Sequence, residues 1–248
     1  MTAVESVRRR HALVTGAGGG IAPAVVRELR ALGVLVTGVD IKDELDRDAA
    51  PVNAYRRGDI ADADFCESIV RENGLGATFD VLVNCAAIPQ EGAELHELTP
   101  DEWGASLGVN LNGAWNLARA LVPGMIEAGG GAIVHLASTS AMKPRVGSGA
   151  YSVAKAAIRA LSRAQALELA RHGISVNTVI PGATRTAQYG KNWGFESAEE
   201  AFAHRVTPIP SGRLVEPEQI ADAVMFFLRQ PAASVTGSEL KLDGGYTI

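Results

Sequence analysis

The chain has 248 residues, 47% of them hydrophobic and 21% charged, with a formal net charge of −5. These are the proportions of a globular protein long enough to bury a large core within one domain. The acidic balance argues against nucleic acid or an anionic membrane as partner, and no apolar run reaches membrane-spanning length. The two cysteines and five histidines show neither a disulfide framework nor a metal-ligand spacing, so no metal is expected. With no signal peptide recognised, a cytoplasmic setting is the simplest expectation.

In chain order, the basic Arg8-Arg9-Arg10 run leads into a short apolar segment over 12–15, the pattern of a buried strand. Gly16-Ala-Gly-Gly-Gly20-Ile-Ala22 follows, then Pro23 and the spacing of Val25, Val26, Leu29 and Leu32, which predicts a helix over 22–32. Strand, glycine turn and helix start together let backbone amides approach a pyrophosphate. Gly16, Gly18, Gly20 and Ile21 are therefore candidate cofactor-binding residues. A second strand over 35–39 runs into Asp40, which lies 20 residues beyond Gly20, where a ribose-binding acid belongs. A carboxylate there accepts hydrogen bonds from free ribose hydroxyls and repels a 2′-phosphate. No Arg or Lys occupies 16–22, and Lys42 is the one nearby cation that works against the argument. The cofactor is read as NAD rather than NADP.

Further strands are predicted over 54–57, 81–84, 132–136, 175–180 and 239–242, with helices near 62–73, 101–128, 150–172 and 217–229. Alternation of this kind implies right-handed βαβ units. The expected fold is α/β: a single Rossmann-type, doubly wound parallel sheet of about seven strands with helices on both faces. Residues 1–248 are read as one dinucleotide-binding and catalytic domain. The segment 183–212 interrupts the alternation just past a strand end and carries Tyr189, Trp193, Phe195 and Phe202 among polar residues. It is a candidate substrate lid, or otherwise a helical insertion with aromatic packing.

Tyr151 and Lys155 stand four residues apart at the head of an Ala/Leu-rich segment, which puts both on one helix face. An ammonium beside a phenol favours phenolate and so lowers the tyrosine pKa. A tyrosine tuned in this way takes a proton from an alcohol or returns one to a carbonyl oxygen near neutral pH.

Taken together, these residues resemble the main, single-domain branch of the short-chain dehydrogenase/reductase family, over nearly the whole chain from Leu13 to Gly245. Thr15-Gly-Ala-Gly-Gly-Gly-Ile-Ala22 is similar to the family's cofactor turn, with Ala22 where its last glycine usually stands. Asp59-Ile60 resembles the adenine contact, and Asn84-Cys-Ala-Ala87 stands for the family's Asn-Asn-Ala-Gly, departing at Cys85 and Ala87. Asn110 resembles the tetrad asparagine, and Ser138, 13 residues before Tyr151, sits where the family keeps its catalytic serine. Pro181-Gly182 and Thr186 resemble the nicotinamide-side loop.

The resemblance implies a catalytic set of Asn110, Ser138, Tyr151 and Lys155. It implies cofactor contacts by Gly16, Gly18, Gly20, Ile21, Asp40, Asp59, Ile60, Asn84, Ala86, Tyr151, Lys155, Pro181, Gly182 and Thr186. Lys155 would also bind ribose hydroxyls, Asn110 would hold a water in a relay to solvent, and the assembly would be a homotetramer. The implied activity interconverts a small-molecule secondary alcohol and a ketone.

The substrate stays open. Arg145, on a loop between Ser138 and Tyr151, is either a carboxylate clamp or a surface arginine. Its Pro-Arg-Val-Gly setting resembles the dihydrodiol-carboxylate dehydrogenases, and a 3-oxoacyl thioester reductase is a further alternative. Tyr189, Trp193, Gln90 and His96 are other candidate pocket residues. A catalytically silent dinucleotide-binding regulator is the competing class.

Overall fold

The computed structural model describes residues 10–46, 48–76, 78–90, 92–191, 194–204, 209–231 and 234–248. Seven strands form one sheet: β1 (His11–Thr15), β2 (Leu35–Asp40), β3 (Ala54–Arg57), β4 (Val81–Asn84), β5 (Gly131–Leu136), β6 (Ile174–Pro181) and β7 (Glu239–Leu242). Their order is β3-β2-β1-β4-β5-β6-β7, and every pairing is parallel. The expected doubly wound sheet is thus observed.

The pleat sorts the core into two layers. Leu13, Leu82, Ile133 and Val176 lie in register across β1, β4, β5 and β6. Their side chains meet α2 (Ala63–Arg71) and α4 (Gly113–Glu127). Val14, Val83 and Val134, one residue on, face the other way onto α1 (Ala22–Ala31) and α8 (Pro217–Arg229). Strands covered on both faces lose the polar alternation of a half-exposed sheet, which is why the central strands read as largely apolar runs, whereas the edge strands β3 and β7 keep charged residues.

Local signals fix the helix starts. Asp62 caps α2, accepting from the Asp64 and Phe65 amides. Thr99 and Glu102 form a capping box at α3 (Pro100–Leu107), with Pro100 in the first turn. The helix expected over 101–128 is not continuous: a π-helical turn, Gly108–Asn112, separates α3 from α4. Asn110 is the reason, since its side chain bonds back to the Ser106 carbonyl and across to Ile88. Such turns recur at functional sites. The helix expected over 150–172 is α5 (Gly149–Leu169) with a closing 3₁₀ turn, Ala170–His172. The segment 183–212 carries two short helices, α6 (Ala187–Lys191) and α7 (Ala198–Ala203), as the helical-insertion alternative allowed without placing them. Arg185 pairs there with Glu199 and Glu216, and Phe195 stacks on His204 at 4.7 Å.

Candidate active site

The C-terminal ends of the strands open onto one crevice, where the strand order reverses between β1 and β4. Open α/β sheets bind ligands at such points. Gly16 leaves β1 at φ +65°, and a Cβ on it would stand 2.9 Å from Ala86 Cα, so conformation and space both demand glycine. Thr15 Oγ1 accepts from the Cys85 and Ala86 amides at 3.1 and 3.0 Å, locking the turn after β4 against the turn after β1. Helix α1 then begins at Ile21 with no side-chain cap and no acidic residue in its first turn. Its leading amides and positive end suit an anion. Thr186, from the segment after β6, lies on the same turn: a Cβ on Gly20 would meet Thr186 Cγ2 at 2.5 Å.

The Asp40 carboxylate accepts from the Gly18 amide at 2.9 Å and the Lys42 amide at 3.2 Å. The Lys42 ammonium donates to the Gly18 carbonyl. The Tyr55 hydroxyl donates to the Lys42 carbonyl at 2.6 Å, fixing the chain just past β2. Asp59 is exposed and accepts from the Ala61 amide at 2.9 Å, and Ile60 is buried behind it. Asn116 was not foreseen; its amide donates to the Ile60 and Ala61 carbonyls at 3.1 and 3.2 Å and holds this turn from α4.

Ser138 begins a short 3₁₀ turn, its Oγ accepting from the Ser140 amide at 3.1 Å. The Ser138 side chain is close enough to the Tyr151 phenol to lower its pKa. Lys155, one turn further along α5, is 3% exposed and donates to the Leu136 carbonyl at 2.9 Å, its Nζ 5.7 Å from the Tyr151 ring centroid. Burial lowers the lysine to about 8, opposed by the neighbouring Cys85. Burial also pushes the Cys85 thiol up to about 12.

Burial raises the Tyr151 phenol above its ordinary value, and the Ser138 side chain and the Arg145 charge pull it back. The Lys155 ammonium thus lies over the Tyr151 ring while donating to Leu136, and the Arg145 guanidinium is a second positive charge bearing on the phenol. Arg145 is half-buried, which sets it apart from an ordinary surface arginine.

Asn110 is 2% exposed, and its carboxamide is committed to protein. Oδ1 accepts from the Ile88 amide at 3.2 Å, and Nδ2 donates to the Ile88 and Ser106 carbonyls at 2.8 and 3.0 Å. Nδ2 is thus fully used, while Oδ1 keeps one lone pair free. Asn84 heads a buried polar chain that sequence reasoning missed. Its Nδ2 donates to His135 Nδ1 at 3.0 Å, and His135 Nε2 meets Gln165 Oε1 at 2.9 Å. Asn84 Oδ1 is buried without a partner, and Asn84, Asn110, His135 and Lys155 line one small cavity. The one signal in the sequence was a histidine inside the otherwise apolar Ala132-Ile-Val-His-Leu136.

Pro181 is buried at the end of β6, and Gly182 donates to the Leu242 carbonyl at 2.7 Å, tying the loop to β7. Tyr189 is half-buried, its amide bonded to Thr186 Oγ1 at 3.1 Å. Trp193 lies outside the described residues.

A family profile described as "Enoyl-(Acyl carrier protein) reductase" matches residues 16–247. The chain belongs to the short-chain dehydrogenase/reductase family. Short-chain dehydrogenases/reductases bind a nicotinamide dinucleotide, and the relatives are oxidoreductases. Acetoacetyl-CoA reductase of Rhizobium meliloti (strain 1021) is 35% identical over 242 residues, covering 95% of this chain and 98% of the relative. 2,3-Dihydro-2,3-dihydroxybenzoate dehydrogenase of Bacillus subtilis (strain 168) is 33% identical over 258 residues, covering 98% of each. Among solved structures, 3-ketoacyl-(acyl-carrier-protein) reductase from Brucella melitensis, complexed with NADH, aligns at a TM-score of 0.86 and 28% identity. That alignment covers 98% of this chain and 100% of the other. Among the described residues, no helix of this short-chain dehydrogenase/reductase is long and apolar enough to cross a membrane.

Proposed function

We propose that the protein is an NAD-dependent oxidoreductase that interconverts a secondary alcohol and a ketone, with Tyr151 as general acid/base. The observation that carries this reading is the buried Lys155 ammonium over the Tyr151 ring on one face of α5, its Nζ 5.7 Å from the ring centroid, with Ser138 bearing on the same phenol.

The residues present fit the dinucleotide. The uncapped start of α1 and the glycine turn suit its pyrophosphate, and the Asp40 carboxylate suits a ribose with a free 2′-hydroxyl. Gly16, Gly18, Gly20 and Ile21 would hold the pyrophosphate, Asp40 the ribose, and Asp59 and Ile60 the adenine. Asn84, Ala86, Pro181, Gly182 and Thr186 would line the nicotinamide side, and Tyr151 and Lys155 would meet its ribose. When bound, the nicotinamide accepts or returns the hydride.

In the oxidative direction Tyr151 takes the hydroxyl proton, and Ser138 holds the substrate oxygen. A phenol kept neutral by burial needs a neighbouring charge to give up its proton near neutral pH. Arg145 supplies one in this structure. Lys155, with its pKa at about 8, carries a proton that is exchangeable in the working range. Cys85 and Ala87 alter the family pattern at the cleft without removing any of these groups.

A narrower reading has a specific observation in its favour. Arg145 is half-buried and acts on the Tyr151 phenol, so a substrate carrying a carboxylate would find its charge matched next to the reacting oxygen. The segment 183–212, including Tyr189, is proposed as the substrate lid. A homotetramer is proposed as the assembly, with the exposed Trp115 of α4 and Val153 and Leu167 of α5 on the contacting faces.

The test is a panel of secondary alcohols, with and without carboxylates, followed at the nicotinamide absorbance with NAD. Tyr151→Phe should retain cofactor binding and lose turnover by at least about a hundredfold, the low end for a positioned acid/base. Near-normal turnover by that variant would remove tyrosine from the mechanism.

A further inference from the structure

Helix α5 carries Tyr151 near its start, yet it begins without a cap of its own. Ser148 occupies the N-cap position with no side-chain capping bond; its hydroxyl donates to the Arg145 carbonyl at 3.0 Å. The amides of the first turn of a helix have no partner within the helix and must find one elsewhere. Here the partner comes from the loop after β4. Gln90 Oε1 accepts from the Ala150 amide at 2.5 Å and from the Tyr151 amide at 3.4 Å. Its Nε2 is anchored on the Ala93 carbonyl at 3.0 Å.

The loop bearing Gln90 is itself fixed. Asn110 grips Ile88, two residues earlier, by both its amide and its carbonyl. On the other side the loop packs directly on the start of α5: a Cβ on Gly149 would meet Leu95 Cγ at 2.3 Å. A continuous set of bonds thus runs from Asn110 through Ile88 and Gln90 to the backbone of Tyr151. A helix end capped by its own flanking serine is free to move with that serine's loop. One capped from a second loop is fixed relative to that loop and to whatever the loop holds.

We propose that Gln90 is a positioning residue: it caps α5 from the loop after β4 and thereby sets the place of the Tyr151 hydroxyl, with Asn110 as its anchor. This rests on Tyr151 being the acid/base group. Gln90 then acts without touching substrate, and Asn110 serves the reaction through the backbone rather than through a ligand of its own.

Gln90→Leu and Gln90→Ala remove the acceptor, whereas Gln90→Glu keeps it and adds a charge favoured at a helix N-terminus. Three readouts are compared with wild type: turnover with the best alcohol of the panel, cofactor affinity by fluorescence, and amide exchange across 149–153 by mass spectrometry. For Leu and Ala, kcat should fall about tenfold, as expected when a catalytic group is misplaced by a fraction of an ångström. Substrate KM and cofactor affinity should stay within about twofold, because nothing that binds them is removed. Exchange at 150–151 should quicken, and Gln90→Glu should recover most of kcat and of the protection.

Faster exchange with kcat unchanged would make the cap purely structural and overturn the proposal. A raised KM at constant kcat would make Gln90 a pocket wall and overturn it as well, and so would a Glu variant no better than Leu. A wild type that turns over no alcohol fails the functional reading instead. In that event unchanged exchange at 150–151 overturns the cap, and faster exchange upholds it.

Discussion

His135 offers a test whose magnitude follows from its surroundings. The ring is fully buried on β5 between Asn84 and Gln165, and burial lowers its pKa from 6.5 to about 4, helped by the nearby Lys155 charge and opposed by the Gln165 bond. The unfolded chain therefore binds this proton before the folded one does. Stability is fully present above pH 6.5 and is lost progressively as pH falls toward 4, below which both states are protonated. Integrating that difference gives a loss of about 2 kcal/mol between pH 7 and pH 5 from this one side chain. Lys155 shifts in the same direction, but its window lies between about 8 and 10.5, so it does not contribute over this range. The assay is urea unfolding of wild type and His135→Gln from pH 7 to pH 5. Glutamine can still bond to Asn84 and Gln165 but does not titrate. Carboxylates titrate in both proteins and cancel in the comparison. The wild type should lose about 2 kcal/mol more than the variant over this range. Equal acid slopes would mean that the ring is hydrated or already protonated in the folded state, and the reading of a dry, neutral network beneath the site would be wrong.

Two further outcomes concern specificity. Asp40→Ala should lower kcat/KM with NAD and raise it with NADP, because the carboxylate that bonds the Gly18 amide is the charge a 2′-phosphate would face. A wild type that prefers NADP would sink the reading and point instead to the Lys42 ammonium lying on the glycine turn. Arg145→Ala should raise KM for carboxylate-bearing alcohols by roughly 10- to 100-fold, the range for hydrogen bonds to charged groups, and leave the KM of their amides unchanged, any loss of kcat being shared by both. Equal effects on acid and amide would end the clamp.

The central strands were legible because they are buried on both faces. The predicted bounds of β3, β4 and β7 coincide with those observed, β1, β2 and β5 differ by one residue at one end, and β6 by one residue at each end. The glycine turn was legible for a related reason: Gly16 has no substitute at its φ and its distance from Ala86, so the need shows in the residue type itself. The segment 183–212 was read as a lid or a helical insertion, and its two helices could not be placed because α6 and α7 have only five and six residues, too few to show a helical period. The break inside 101–128 was hidden because Gly108, Asn110 and Gly113 carry no helix-stop pattern, and the π turn arises from a bond to Ile88 that sequence cannot place.

The contacts that sequence could not supply share a chemistry. Asn110, Asn116 and Gln90 are carboxamides bonded to backbone groups of distant segments, and a carboxamide in sequence looks the same whether it meets a ligand, a carbonyl or water. The Tyr151–Lys155 pair was legible in part. Spacing put both on one face of α5, and the ammonium lies over the Tyr151 ring. Its acceptor, the Leu136 carbonyl at the end of β5, could not be read from spacing. A second charge bearing on the phenol comes from Arg145, on the loop that joins β5 to α5. The Arg145 carbonyl also accepts from the Ser148 hydroxyl just ahead of α5, whose first amides are bonded by Gln90. One loop thus carries a cation that bears on the phenol and a bond to the start of its helix. A substitution that moves Arg145 should therefore disturb the position of Tyr151 as well as its acidity.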